Sequence, residues 1–141
     1  MKMIYDVAIR LVGTPYIWGG STPVGTDCSG LVQLLLAVGG ADPVGDQTAE
    51  GLFKHFSQPA NHNSQDPQLG ALAFYGHLGK VTHVAMCLDR RRMIEAGGGG
   101  PGVLSLADAV RQNAFTRVVP IRFKDLLGFY MPDYPAAIPR A

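Results

Sequence analysis

The chain has 141 residues, a formal net charge of +1, four histidines and two cysteines. That length fits one domain able to bury a core without metal or disulfide staples, and the near-neutral balance supplies no long-range field for nucleic acid or an anionic membrane. A hydrophobic fraction of 47% marks a folded globule, while 18 glycines and 10 prolines imply many turns around a modest sheet.

From the N-terminus, Ile4, Val7, Ala8 and Leu11 recur at helical spacing and predict a helix over residues 3–12, ended by Gly13. Neither a signal-peptide stretch nor a run of roughly 20 apolar residues is present, so a soluble domain is expected, cytoplasmic or delivered by a phage tail or secretion machine. Residues 14–21 read as loop or extended chain, with the aromatics Tyr16 and Trp18 as candidate cleft walls. Asp27 or Thr26 is placed to cap a helix that starts at Cys28, runs to about residue 38 and stops at Gly39-Gly40. A short helix is expected over 48–56, then a turn-rich connection over 61–70. Strands follow at 71–75, 81–88 and 92–96, then a helix over 104–111 and a strand over 116–122. Residues 131–141 are proline-rich and are expected to lie along the surface as a tail of a single domain, 1–141.

Cys28 is the informative residue. A cysteine in the first turn of a helix meets backbone N–H groups and the positive end of the helix dipole, which favour the thiolate that attacks a carbonyl. His83 lies in a β-branched run that reads as a strand, and Glu95 lies in the next strand, so a base and a group to orient it are both at hand. Cys87 sits in an apolar strand and reads as a small core residue. The histidines are scattered with no zinc spacing, and the glycine run Gly97-Gly98-Gly99-Gly100 lacks the lysine of a phosphate-binding loop. Neither metal, nucleotide nor other cofactor is expected. The glycine run fits either a rim of the cleft or a plain exposed connection.

The segment Gly13-Thr14-Pro15-Tyr16-Ile17-Trp18-Gly19-Gly20, followed by Thr26-Asp27-Cys28-Ser29-Gly30-Leu31-Val32, resembles the NlpC-type cell-wall cysteine peptidases. The likeness continues through residues 69–75, 82–88 and 93–96, and covers roughly residues 3–125. It implies a papain-like α+β fold with N-terminal helices packed on a central antiparallel sheet. It also implies a catalytic set of Cys28, His83 and Glu95, the last chosen because this family places its third polar residue twelve positions after the histidine, and 95 − 83 = 12. Tyr16 matches the family tyrosine that helps the Cys28 backbone N–H hold an oxyanion or position substrate, and Asp27 and Ser29 match positions that bind a free amino end. Trp18 and Tyr75 are expected along the cleft wall. Where the family commonly has Gly-Asp before a strand, this chain has Gly70-Ala71, so one hydrogen bond at that turn is expected to be missing.

The implied substrate is the bacterial peptidoglycan stem peptide, cut at the γ-D-glutamyl bond to diaminopimelate or lysine. The alternatives are an N-acetylmuramoyl-L-alanine amidase, a thiol-dependent acyl transferase, or a non-catalytic cell-wall or phage-tail assembly module.

Overall fold

A computed structural model describes residues 1–135. Its elements, in chain order, are α1 (Lys2–Leu11), a small hairpin of β1 (Ser21–Thr22) and β2 (Gly25–Thr26), α2 (Cys28–Gly39), α3 (Ala49–Phe56), β3 (His62–Ser64), β4 (Leu72–His77), β5 (Lys80–Cys87), β6 (Arg92–Gly97), α4 (Leu106–Gln112), β7 (Phe115–Pro120) and β8 (Leu126–Pro132). Six strands form one antiparallel sheet in the order β3-β8-β4-β5-β6-β7. The α+β class and the helices-on-sheet architecture expected from the sequence are those observed.

Side chains that alternate along the central strands divide the apolar residues between two faces of the sheet. Leu72, Phe74, Val84, Met86, Ile94 and Ala96 meet Leu31, Val32, Leu35 and Leu36 of α2 on one face. Ala73, Tyr75, Ala85, Cys87 and Met93 form a smaller cluster with Ile121 and Phe129 on the other. Helix α2 is buried because α1 covers it on the side away from the sheet, with Ile4, Ala8 and Leu11 turned inward. Its start is set by Asp27, whose carboxylate accepts from Gly30 N at 2.7 Å, and its end by Gly40 in the left-handed region at φ 78°. Thr48 and Ser105 cap α3 and α4 in the same way.

Three strand regions differ from the sequence reading. The hairpin β1–β2 is too short to show a period, and β3 is a polar three-residue edge strand inside what reads as turn-rich chain. The third is β8, which lies between β3 and β4 and takes in Met131 and Pro132, two residues expected to begin a surface tail. Tyr134 also turns inward, its hydroxyl donating to the Gly70 carbonyl at 2.7 Å, so residues 131–135 pack on the domain; the rest of the expected tail, 136–141, lies outside the described residues. That Tyr134 bond, together with Gly70 N to Cys87 O at 3.0 Å and Cys87 N to Ala71 O at 2.8 Å, satisfies the Gly70-Ala71 turn without an aspartate. No helix among the described residues is long and apolar enough to cross a membrane.

Candidate active site

Cys28 is the first residue of α2, so the N–H groups of the opening turn have no partner within the helix. Asp27 takes that of Gly30, which leaves those of Cys28 and Ser29 at the open end. The loop before the helix is drawn tightly against it: Asp27 N donates to Gly20 O at 3.0 Å, and a side chain on Gly30 would overlap that same carbonyl. Only glycine permits this approach, which fixes where the thiol emerges.

A cleft of about 920 Å³ opens at the start of α2, between the segment 46–50 on one side and 97–101 on the other. Cys28, His83, Glu95, Tyr16, Trp18, Asp27 and Ser29 all line it. His83 lies where the regular pairing of β5 with β4 ends at a β-bulge. Tyr75 pairs with His83 and Gly76 with Val81, so Thr82 is an extra residue on β5 without a partner on β4. The bulge breaks the alternation of that strand just before His83, at the rim of the cleft.

His83 Nε2 lies 2.8 Å from Glu95 Oε1, so Nδ1 is the ring nitrogen that this carboxylate does not engage. Burial works against charging the ring, but hydrogen bonds and charge interactions with Cys28 and Glu95 outweigh it and raise the His83 pKa to about 9. Glu95 is 6% exposed. Burial alone would hinder its ionisation, yet His83 and Arg122 hold its carboxyl down at about 2. The imidazole is therefore biased toward its protonated form, with a carboxylate bound to one of its nitrogens, in the cleft that Cys28 also lines.

Tyr16 is 5% exposed and pinned by Tyr16 N to Ala114 O at 2.9 Å. Burial, followed by the charges of Cys28 and Asp27, raises its phenol well above the ordinary range, so the hydroxyl remains a donor. The glycine run is a rim of the cleft: Gly97 to Gly100 line it, and Gly99 lies against the Tyr16 ring where a Cβ would overlap. Trp18 is half-exposed, with its backbone N–H on Val103 O at 2.8 Å. The Asp27 carboxylate is already engaged, by Gly30 N and Ser29 Oγ on Oδ1 and by Gly19 N at 3.1 Å on Oδ2.

Tyr75 departs from expectation, since it does not line the cleft. It is 5% exposed within the smaller core, and its hydroxyl donates to the Arg122 carbonyl at 2.8 Å. Glu95 is the partner of His83, as the spacing implied. Two features carry no sequence signal of their own. Arg122 forks onto Glu95, with Nη1 to Oε2 at 3.0 Å and Nη2 to Oε1 at 2.8 Å. Gln33, buried on α2, receives Gln47 N on its oxygen at 2.8 Å and donates to Gln47 O at 3.0 Å and Asp46 Oδ1 at 3.1 Å, which clamps the 46–50 wall to the helix that carries Cys28. Polar residues at a helical position read as surface, and nothing in the spacing marks Gln33 as inward.

The family model described as the NlpC/P60 family matches residues 13–119, and the chain belongs to that family of papain-like cysteine peptidases. It is 37% identical over 104 residues to the bifunctional muramidase/DL-endopeptidase CwlT of Bacillus subtilis, an alignment covering 70% of this chain and 30% of that protein. To the probable peptidoglycan endopeptidase LytE of the same organism it is 31% identical over 106 residues, covering 74% and 29% respectively. The chain thus spans less than a third of these relatives. Among solved structures, the NlpC/p60 domain of the peptidoglycan hydrolase SagA superposes with a TM-score of 0.63 at 27% identity, covering 92% of this chain and 96% of that one. A P60 domain from M. avium subspecies paratuberculosis shares the fold, with a TM-score of 0.66 at 23% identity over 96% of this chain and 95% of the other.

Proposed function

We propose, taking membership of the NlpC/P60 family as the premise, that this chain is a thiol hydrolase that cleaves amide bonds in bacterial peptidoglycan stem peptides, at the γ-D-glutamyl linkage to diaminopimelate or lysine. The observation that carries the proposal is a cysteine at the open N-terminus of a buried helix, sharing a cleft with a histidine that a carboxylate holds by one ring nitrogen. Relatives described as an endopeptidase and as a peptidoglycan hydrolase support the substrate class.

In this reading Cys28 Sγ attacks the amide carbon as the thiolate, and the carbonyl electrons move onto oxygen. The Cys28 backbone N–H and the Tyr16 hydroxyl stabilise that oxyanion. The C–N bond then breaks as His83 gives its proton to the departing amine, leaving a thioester on Cys28. Water, deprotonated by His83, attacks the thioester and releases the carboxylic acid and the thiol. Glu95 holds the imidazole in one tautomer through both halves of the cycle. Asp27 and Ser29 serve the free amino end of the substrate, while Trp18 supplies an exposed apolar wall.

The test is incubation of the protein with L-alanyl-γ-D-glutamyl-diaminopimelate peptides, with free and with acetylated amino ends, and with an intact glycan-linked fragment, followed by mass measurement of the products. The expected result is cleavage after D-glutamate, faster for the free amine. Attack only at the glycan-peptide amide would instead identify an amidase, products joined to an added amine an acyl transferase, and no Cys28-dependent product a binding module.

A further inference from the structure

We propose that Arg122 is a positioning residue of this site: it divides the Glu95 carboxylate between itself and His83, so that Glu95 orients the imidazole without binding its proton too tightly. The inference rests on the thiol-hydrolase reading for its catalytic consequence, but its geometry stands apart from any substrate.

Glu95 is a buried carboxylate, and a lone hydrogen bond from an imidazole leaves three of its lone-pair directions and most of its charge uncompensated. Arg122 supplies what is missing. Its two terminal nitrogens meet the two carboxylate oxygens at 2.8 and 3.0 Å, the parallel arrangement that a guanidinium makes and an ammonium does not. Oε1 is shared, because it also takes His83 Nε2 at 2.8 Å. Arg122 is itself held at both ends by one residue. The Tyr75 hydroxyl donates to its carbonyl at 2.8 Å, and its guanidinium carbon lies 5.1 Å from the centre of the Tyr75 ring. Burial pushes the Tyr75 phenol up to about 12, against the opposing charge of Arg122, so that hydroxyl stays a donor.

The groups that face His83 come from every neighbouring element: Cys28 on α2, Glu95 on β6, Arg122 beyond β7 and the Tyr75 ring on β4, with Tyr16 and Asp27 beside the thiol. Burial opposes the imidazolium and Cys28 and Glu95 favour it, while Arg122 draws on the Glu95 oxygen that His83 shares. Removing Arg122 turns the whole carboxylate toward the ring. The imidazolium is then stabilised and gives its proton less readily to a leaving amine.

The experiment follows the His83 imidazole by NMR across pH in Arg122→Gln and Arg122→Lys, in the full chain carrying Cys28→Ala so that no turnover is needed. In Arg122→Gln the titration midpoint is expected to rise by about half a unit to one unit, and in Arg122→Lys, which keeps the charge without the fork, by less. Adding Glu95→Gln should abolish the difference between arginine and glutamine at 122. With Cys28 intact, kcat on the stem peptide falls about tenfold while KM changes little, and lysine restores part of the loss. A midpoint that stays put or falls, or a shift that persists without Glu95, overturns the proposal. So does a rise in KM alone, which would make Arg122 a contact for a substrate carboxylate. Should Arg122→Gln not fold, the lysine variant decides by the sign of its shift. If the wild type cuts no wall peptide, the proposed function fails, yet the titration still tests Arg122.

Discussion

His83 and Glu95 meet diagonally across two antiparallel strands. The register that pairs Met86 with Ile94 and Cys87 with Met93 places Glu95 opposite residue 85, so His83 is its neighbour two positions along β5. Diagonal neighbours on one face lie within reach of long side chains, and here they close to 2.8 Å. The twelve-residue spacing between them is thus what a hairpin of this register needs to bring a base to its carboxylate.

This pair sets how stability depends on pH. His83 rises from an ordinary 6.5 to about 9, so its contribution is full below 6.5 and is lost as pH climbs through 9. Glu95 falls from 4.5 to about 2, so its contribution is full above 4.5 and is lost as pH drops through 2. The two together are expected to place a plateau of melting temperature between these limits, with decline on both sides. Glu95→Gln should flatten both declines in calorimetric scans, and unaltered slopes would disprove the coupling.

Cys28→Ala is expected to leave the fold intact and reduce hydrolysis by at least about 10³-fold, since the nucleophile is gone while the binding surfaces remain. Cys28→Ser should fall almost as far, because a hydroxyl lacks the readily formed anion that the site is built to hold. Steady-state rates beside circular dichroism spectra check both statements, and a folded alanine variant with wild-type rate would end the proposed chemistry.

Gln33 joins the helix of the thiol to the opposite wall of the cleft. Gln33→Leu strips Gln47 N–H of its acceptor and Gln47 O and Asp46 of a donor, a loss of about 1–3 kcal/mol when such groups stay dry. The midpoint of urea unfolding should fall accordingly, and KM should rise more than kcat falls, because the wall moves while Cys28 and His83 do not. A change in kcat alone would place Gln33 nearer the chemistry than its contacts do.

Gly99 bears on Tyr16. In Gly99→Ala the new methyl group would overlap the Tyr16 ring and displace it. We expect kcat to fall up to about tenfold, less than the ~10² to 10³ lost with a whole oxyanion donor. In Tyr16→Phe, where the hydroxyl is already absent, the same substitution should have little further effect. Additive losses in the double variant would show that Gly99 acts elsewhere.

Much of this architecture is legible in the chain. Helical spacing in residues 3–12, a capping aspartate before an apolar run, and β-branched clusters near 71–96 each correspond to an element within a few residues of its observed bounds. What escapes has a physical cause. Strand β8 contains Gly128 and ends in Pro132, residues that count against a strand unless partners on both sides supply its hydrogen bonds. The bulge at Thr82 depends on a register between strands, which no single strand encodes. Arg122 reaches Glu95 across 27 positions because the chain beyond β7 folds over the sheet's smaller core, and Tyr75, which reads as a wall of the cleft, is the residue that holds it there.

The two sulfurs live in different worlds. Cys87 is wholly enclosed by the sheet, and burial pushes its thiol up to about 12, whereas Cys28 opens on the cleft. A small alkylating reagent at neutral pH therefore has one target per native chain and two per unfolded chain. The first equivalent consumed counts the molecules with an accessible nucleophile, and the delayed second times the opening of the sheet, so the protein carries its own active-site titrant and its own unfolding clock in the same chemistry.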